Sequence, residues 1–157
     1  KARAEQQAFA AARTKVPAEA FFGNNAARTI LDVAEAMLDG EILLREGRDE
    51  DGLARLREAV RREGLVRYDE PPDWIIPVRH ALGAALMNLG RYKEAEQVYR
   101  EDLQKWPDNG WSLYGLGRTL QHLGREAEAA PVLIKFDQVW AQADIPLTSS
   151  CLCLPGK

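Results

Sequence analysis

The sequence contains only two cysteines among its 157 residues, Cys151 and Cys153, and both lie in the last seven positions. A disulfide there would close no long loop of the fold, so a disulfide-stapled framework is excluded and the redox compartment stays open. No run of apolar residues approaches the ~20 that a transmembrane helix needs. We therefore expect no membrane insertion.

The chain also lacks an excess of basic residues. Its formal net charge is −3 and its isoelectric point is near 5.5, whereas binding to nucleic acid needs a clustered basic surface. Arginines are frequent between Arg55 and Arg67, but Glu58 and Glu63 interrupt them. That pattern is typical of a solvated helix face, and we predict no nucleic-acid partner.

Motifs of known catalytic chemistry are missing as well. The sequence has no G-x-S-x-G, no H-E-x-x-H and no glycine-rich phosphate loop. The only histidines, His80 and His122, lie in different predicted helices. We expect them to be solvated or hydrogen-bonded rather than a metal-binding or acid–base pair. The sequence therefore predicts a protein that is not an enzyme and has no cofactor.

The chain begins at Lys1, without a methionine and inside a helical pattern. We interpret it as a piece of a longer protein, in which no signal peptide is recognisable. Its localisation is therefore undetermined between the cytoplasm and the periplasm.

Apolar residues recur at steps of three and four along most of the chain, which predicts seven helices. Their expected limits are 1–15, 26–46, 49–64, 74–89, 91–106, 110–123 and 125–142. The expected N-terminal caps are Asn24 or Asn25, Asp49, Asp73, and Asp108 or Asn109. Pro131 falls inside the last helix, which we expect to be weakened or to begin late there.

A repeat becomes visible when the predicted turn glycines Gly47, Gly90 and Gly124 are aligned. The second spacing is 34 residues, and the first is 43 because a proline-rich insertion occupies 67–75. The corresponding positions in the middle unit are Leu82, Gly83, Leu86, Ala95, Tyr99 and Pro107. In the last unit they are Leu116, Gly117, Leu120, Ala129 and Leu133, and in a degenerate first unit Asp39, Gly40, Leu43, Gly52 and Leu56.

This pattern resembles the tetratricopeptide repeat family, whose units are helix–turn–helix pairs of 34 residues. The chain looks like the C-terminal part of a longer bacterial protein of this type. The resemblance implies an all-α, right-handed helical solenoid of about three units in a single domain. Its expected segments are an N-terminal helix and turn at 1–25, the degenerate repeat at 26–66, the insertion at 67–75, repeats at 76–109 and 110–143, and an irregular tail at 144–157.

The same resemblance implies a function in binding a protein or peptide. In this family the first helix of each pair lines a concave groove. By position the groove would be formed by Met37, Glu41, Arg45, His80, Ala84, Met87, Asn88, Trp111, Tyr114, Arg118, Gln121 and His122. Aromatic, guanidinium and amide groups of this kind suit an extended peptide.

Two alternatives stay open. Cys151 and Cys153 could form part of a metal or redox site, although zinc usually needs four ligands and the sequence supplies no others nearby. The chain could also be an accessory domain of a larger enzyme. Our first expectation for the cysteines is a docked tail without metal.

Overall fold

A computed structural model describes residues 1–151 of the chain. Within that range it contains seven α-helices and one antiparallel pair of two-residue strands. The elements are α1 Ala2–Arg13, β1 Phe21–Phe22, β2 Asn25–Ala26, α2 Ala27–Arg45, α3 Asp49–Glu63, α4 Val78–Asn88, α5 Tyr92–Lys105, α6 Gly110–His122 and α7 Glu126–Trp140. The predicted all-α helical-repeat class is confirmed. Among the helices of the described residues, none combines the length and apolar character required to cross a membrane.

The chain divides into two compact units. The first is Lys1–Val78, and the second begins at Arg79 and contains nearly all of α4 together with α5, α6 and α7.

The three predicted turn glycines have the same geometry. Gly47, Gly90 and Gly124 have φ angles of 74°, 71° and 71°, in the left-handed region where a residue with a Cβ is strained. In each turn the N–H after the glycine donates at 2.9 Å to a carbonyl five residues earlier, on Leu43, Leu86 or Leu120. This bond closes a Schellman motif and ends the first helix of each pair.

Each pair is also packed by one close approach between a glycine and a large side chain. A Cβ at Gly40, Gly83 or Gly117 would overlap with Leu56, Tyr99 or Leu133, respectively. These partners are sixteen residues apart in all three pairs. The degenerate first unit therefore has the same internal packing as the other two, although Asp39 stands where leucine is usual.

An arginine and a carboxylate begin the second helix of every pair. Arg48, Arg91 and Arg125 follow the turn glycines, and each donates from Nε to the acidic residue three positions later, at 3.0, 2.6 and 2.6 Å. This G-R-x-x-D/E step was not among the predicted repeat positions. The prediction of Asp49 as the cap of α3 is wrong, because Arg48 occupies that position and provides no side-chain cap.

In the first unit, α1 docks on α2 through polar groups. Arg3 donates to Glu46 at 2.8 Å, Gln6 donates to Asp39, and Arg13 pairs with Asp32. No residue of α1 is buried. Asp39 also accepts from Arg55 at 2.6 Å, so its charge is paired. The apolar core of the unit is formed by Val33, Ala36, Ala59 and Val78, with Met37, Val60, Val66 and Trp74 packed against it.

Asn25 fastens the proline-rich insertion instead of capping α2. Its amide oxygen accepts from the N–H of Arg67 at 2.8 Å, and its Nδ2 donates to Asp73 at 2.7 Å. Ala26 is the N-cap of α2 and no side chain caps it. The prediction of Asn24 or Asn25 as the cap is therefore wrong, because both side chains bind the insertion.

The start of the fourth helix was also predicted wrongly. It begins at Val78 rather than Trp74, because Pro77 pushes Ile76 out of the helical region. Asp73, the predicted cap, accepts a hydrogen bond from Asn25 instead. The N–H of Val78 donates to the Glu63 carboxylate at 3.2 Å.

The last helix is continuous through Pro131 and begins at Glu126. Of the two expected effects of Pro131, a weakened helix or a late start, the late start is wrong. Pro131 and Ala127, whose carbonyl the proline cannot pair, are both exposed, so that carbonyl is open to water.

Candidate binding surface

Tyr99 lies between α4 and α6. These two helices form the candidate binding surface of the second unit. Its ring lies against both Gly83 of α4 and Gly115 of α6, where a Cβ on either glycine would overlap with ring atoms. The side chain comes from α5 and is fully buried. The hydroxyl end of the ring therefore lies between the two helices. Burial raises the pKa of the Tyr99 hydroxyl, against the opposing effect of its hydrogen bond to Ser150.

The tail after α7 returns to this face. Ser150 Oγ lies 2.6 Å from Tyr99 Oη and donates to the carbonyl of His80 at 3.2 Å. Ser150 is 3% exposed and Cys151 is 7% exposed, whereas Ala143–Pro146 are exposed. Trp140 Nε1 donates to the Ile145 carbonyl at 2.8 Å and fixes the start of the tail. The expectation that part of the tail lies on the body is confirmed up to Cys151.

His80 belongs to a buried polar cluster with Asp102, Asn109 and Ser112. Its Nε2 is 2.7 Å from Asn109 Nδ2 and 3.5 Å from Asp102 Oδ2. Asp102 accepts from Ser112 at 2.6 Å and from Asn109 at 3.0 Å. The oxygen of the Asn109 amide caps α6 by accepting from Trp111 at 3.0 Å, so the amide nitrogen must donate to the ring of His80.

This cluster was missed by the sequence analysis, although Asn109 was correctly given as a possible cap. Asp102 follows Ala95 and Tyr99 on one buried stripe of α5, at steps of four and three residues. A carboxylate on such a stripe requires buried partners, and that requirement was the available signal. The resemblance placed His80 in the groove lining, but it is 4% exposed. It therefore lies below the surface, where it holds neighbouring groups in position.

Four of the predicted binding residues form a continuous strip along α6. Arg118 lies over the ring of Tyr114, 5.4 Å from its centroid, and donates to Gln121 at 3.0 Å. Trp111 stacks on His80 with a centroid distance of 6.3 Å. Arg118 is exposed, and the other three residues are half-buried. The strip therefore presents aromatic faces, a guanidinium and an amide to the outside of the unit.

Packing on α7 supports the aromatic members of the strip. Trp111 meets Trp140 edge-on at 5.5 Å, and Tyr114 lies 5.5 Å from Phe136. Such contacts restrict the two rings and reduce the entropy lost when a ligand binds them.

The remaining predicted residues of the second unit have separate environments. Met87 is half-buried, and its sulfur accepts from Thr119 Oγ1 at 2.8 Å, which joins α4 to α6 beneath the surface. Ala84 is 4% exposed and Asn88 is exposed. His122 stacks on Tyr92 at 4.6 Å and shares no contact with the His80 cluster.

Met37, Glu41 and Arg45 lie on α2 of the first unit. Met37 packs against the apolar core of that unit, and Arg45 is exposed. Glu41 is half-buried, and burial raises the pKa of its carboxyl, with Arg45 opposing the shift.

The cysteine pair falls at the edge of the described structure. Cys151 is buried and disulfide-bonded, and a disulfide sulfur offers no thiolate to a metal. Cys153 lies outside the described residues. Among residues 1–151 no group of three or more His, Cys, Asp or Glu side chains is arranged to hold a metal ion.

Comparison with known proteins agrees with the repeat. Residues 78–106 match the family model of the tetratricopeptide repeat. The solved structure titled MamA AMB-1 aligns with a TM-score of 0.56 and 21% identity, covering 90% of this chain and 94% of that one. A second structure, titled MamA MSR-1, aligns over the same shares with a TM-score of 0.40 and 20% identity. No curated protein sequence matches the chain. The likeness to MamA AMB-1 shows a shared fold.

Proposed function

Because the chain contains a tetratricopeptide repeat within a helical-repeat fold, we propose that it is a non-catalytic module that binds an extended segment of a partner protein. The binding residues would lie on the first helix of each pair. On α6 they are Trp111, Tyr114, Arg118 and Gln121, on α4 Met87 and Asn88, on α2 Met37, Glu41 and Arg45, and at the end of α6 His122. His80 would position Asn109 and Trp111 from below.

The observation that carries the proposal is the strip on α6. Its aromatic rings give apolar contact, Gln121 can bond a peptide backbone, and the Arg118 guanidinium can hold a carboxylate with two hydrogen bonds. Arg118 is exposed, and its guanidinium contacts Gln121 and Tyr114 of the same strip. A ligand carboxylate can therefore reach the guanidinium without breaking an ion pair of the fold.

The test is affinity capture from a lysate of the source organism with quantitative mass spectrometry. The variant Arg118→Glu with Gln121→Ala reverses the charge and removes the amide. It leaves Tyr114 unsubstituted, because the ring of Tyr114 packs on Phe136. We expect at least a tenfold loss of the specifically captured partner, with the melting temperature unchanged.

Lys93→Glu is the matched control, because it reverses one exposed positive charge on α5, the second helix of its pair. It should capture the partner as the unaltered protein does. Equal capture by all three proteins would show that the strip does not bind the partner.

A further inference from the structure

The tail segment that includes Ser150 and Cys151 packs on the face of α4 and α6 where the Tyr99 hydroxyl and the His80 carbonyl lie. We propose that this face takes an extended segment carrying a small hydroxyl side chain, and that the chain's own tail is its resident occupant. A partner segment would have to displace the tail. The inference rests on the proposed function for its ligand class, but the contact of the tail can be tested without any partner.

The groups around Ser150 favour a small hydroxyl side chain at this position. Its hydroxyl accepts from Tyr99 Oη and donates to the His80 carbonyl, so both functions of one small hydroxyl are used. The raised pKa of Tyr99 keeps the phenol protonated and able to donate. A serine or threonine fits this arrangement, whereas a side chain without a hydroxyl leaves the phenol unpaired.

Burial along the tail is uneven. Ala143–Pro146 and Thr148 are exposed, Leu147 and Ser149 are half-buried, and Ser150 and Cys151 are buried. Within residues 143–151 the contact is therefore made by a few side chains of an irregular segment rather than by a packed helix. This is how a bound peptide sits on a helical surface, with anchor residues separated by solvated ones.

The tail competes with a partner segment for the α4–α6 face. The tail is joined to α7, so its effective concentration at the face is high, on the order of millimolar for a short flexible connection. Among residues 143–151, however, only Ser150 and Cys151 are buried, and a segment that also engages the α6 strip would make more contacts than these residues do. Such a segment can replace the tail, and its apparent affinity is lowered by the fraction of molecules in which the tail is bound.

The test uses a fluorescein-labelled peptide of residues 143–157 and the full chain, with binding followed by anisotropy. Ser150→Asp places a carboxylate against the His80 carbonyl and should release the resident tail. Thr148→Asp adds the same charge at an exposed position of the same tail. We expect Ser150→Asp to bind the peptide at least about tenfold more tightly than the unaltered protein, and Thr148→Asp to behave as the unaltered protein. Equal binding by all three proteins, or no binding by a Ser150→Asp protein with an unchanged helical spectrum, overturns the inference.

A second measurement applies even if Ser150→Asp does not fold. In Tyr99→Phe the ring remains and only the hydroxyl that holds Ser150 is lost. Hydrogen exchange of the backbone amides at 149–151 should become about fivefold faster, as expected for one lost hydrogen bond, with exchange in the interior of α6 unchanged. Unaltered exchange at 149–151 would show that the contact does not hold the tail.

The outcomes separate the two proposals. If Arg118→Glu with Gln121→Ala abolishes partner capture but the tail peptide never binds, the face binds a partner and the tail is not an occupant. If the peptide binds the released face while capture is unaffected by the α6 variant, the tail contact stands and the proposed partner site fails.

Discussion

Gly83 of α4 lies against the ring of Tyr99, sixteen residues later in α5, with no room between them for a side-chain carbon. Gly115 of α6 lies against the same ring. One tyrosine therefore sets the separation of three helices, and its hydroxyl is delivered to the surface where Ser150 is bound. The packing that defines the repeat also builds part of the candidate site.

Gly83→Ala tests this packing. The added methyl group would overlap with the Tyr99 ring, which Gly115 also approaches closely. We expect a loss of about 1–3 kcal/mol in the free energy of unfolding, typical of an overpacked core. Urea unfolding followed by circular dichroism measures it.

Gly64→Ala is the control for this change. Gly64 has φ of −63° and its nearest neighbour to an added Cβ is a backbone oxygen at 3.3 Å. Alanine is compatible with that conformation, so the stability should change by less than about 0.5 kcal/mol or rise slightly. If both variants lose the same stability, the close approach to Tyr99 is not the cause of the loss at Gly83.

Much of the fold could be predicted because its determinants are local. The turn glycines require a left-handed backbone, and small residues recur at fixed distances from the large residues that fill the space beside them. Gly40 and Leu56 follow this rule even though Asp39 departs from the family pattern. The structure supplies the reason for the departure: Asp39 accepts from Gln6 of α1 and from Arg55 of α3.

What could not be predicted depends on contacts between distant parts of the chain. Asn25 looked like a helix cap, but it bonds the backbone of Arg67, 42 residues later. The resemblance placed His80 in the groove lining, but it is buried and Asn109 reaches its ring across 29 residues. A hydrogen-bonding side chain has several possible partners, and local sequence does not rank those that tertiary structure brings close. The binding role assigned to the groove residues stays a prediction for the same reason.

Asp102→Ala tests the buried cluster. The Asp102 carboxylate is 2% exposed and accepts from both Ser112 and Asn109. Removing it leaves the buried Ser112 hydroxyl without its acceptor, and the half-buried Asn109 amide keeps only its bond to His80. A buried unsatisfied group costs about 1–3 kcal/mol, so we expect a loss of about 1–3 kcal/mol in the free energy of unfolding, measured by chemical denaturation.

Asp137→Ala provides the matched comparison, because it removes an exposed carboxylate from α7. Its effect should stay within about 0.5 kcal/mol, as is usual for surface substitutions. The cluster would be shown to be energetically unimportant if Asp102→Ala were equally mild.

Glu41→Gln tests the electrostatics of the half-buried carboxyl on α2. Burial raises the pKa of Glu41 in the folded state, so folding disfavours its charged form. The carboxylate therefore destabilises the fold at neutral pH, and this effect disappears as the pH falls and the group is protonated in both states. Glu41→Gln should raise the melting temperature slightly at pH 7. The gain should shrink to nothing below the unfolded pKa of about 4.3.

Glu58→Gln should change the melting temperature at pH 7 in the opposite direction to Glu41→Gln. The two variants together test the sign of each effect rather than its magnitude. Hydrogen bonds from Arg61 and Arg62 lower the pKa of Glu58 to about 2. Its stabilising contribution is thus present above the unfolded pKa of about 4.3 and is lost as the pH falls through about 2. Since Glu58 is only half-buried and lies on an arginine-rich helix face, solvent screens the interaction and the effect is small. Melting curves of both variants from pH 7 to pH 3 decide the matter, because a loss of stability in Glu41→Gln at pH 7 contradicts the assigned direction of its pKa shift.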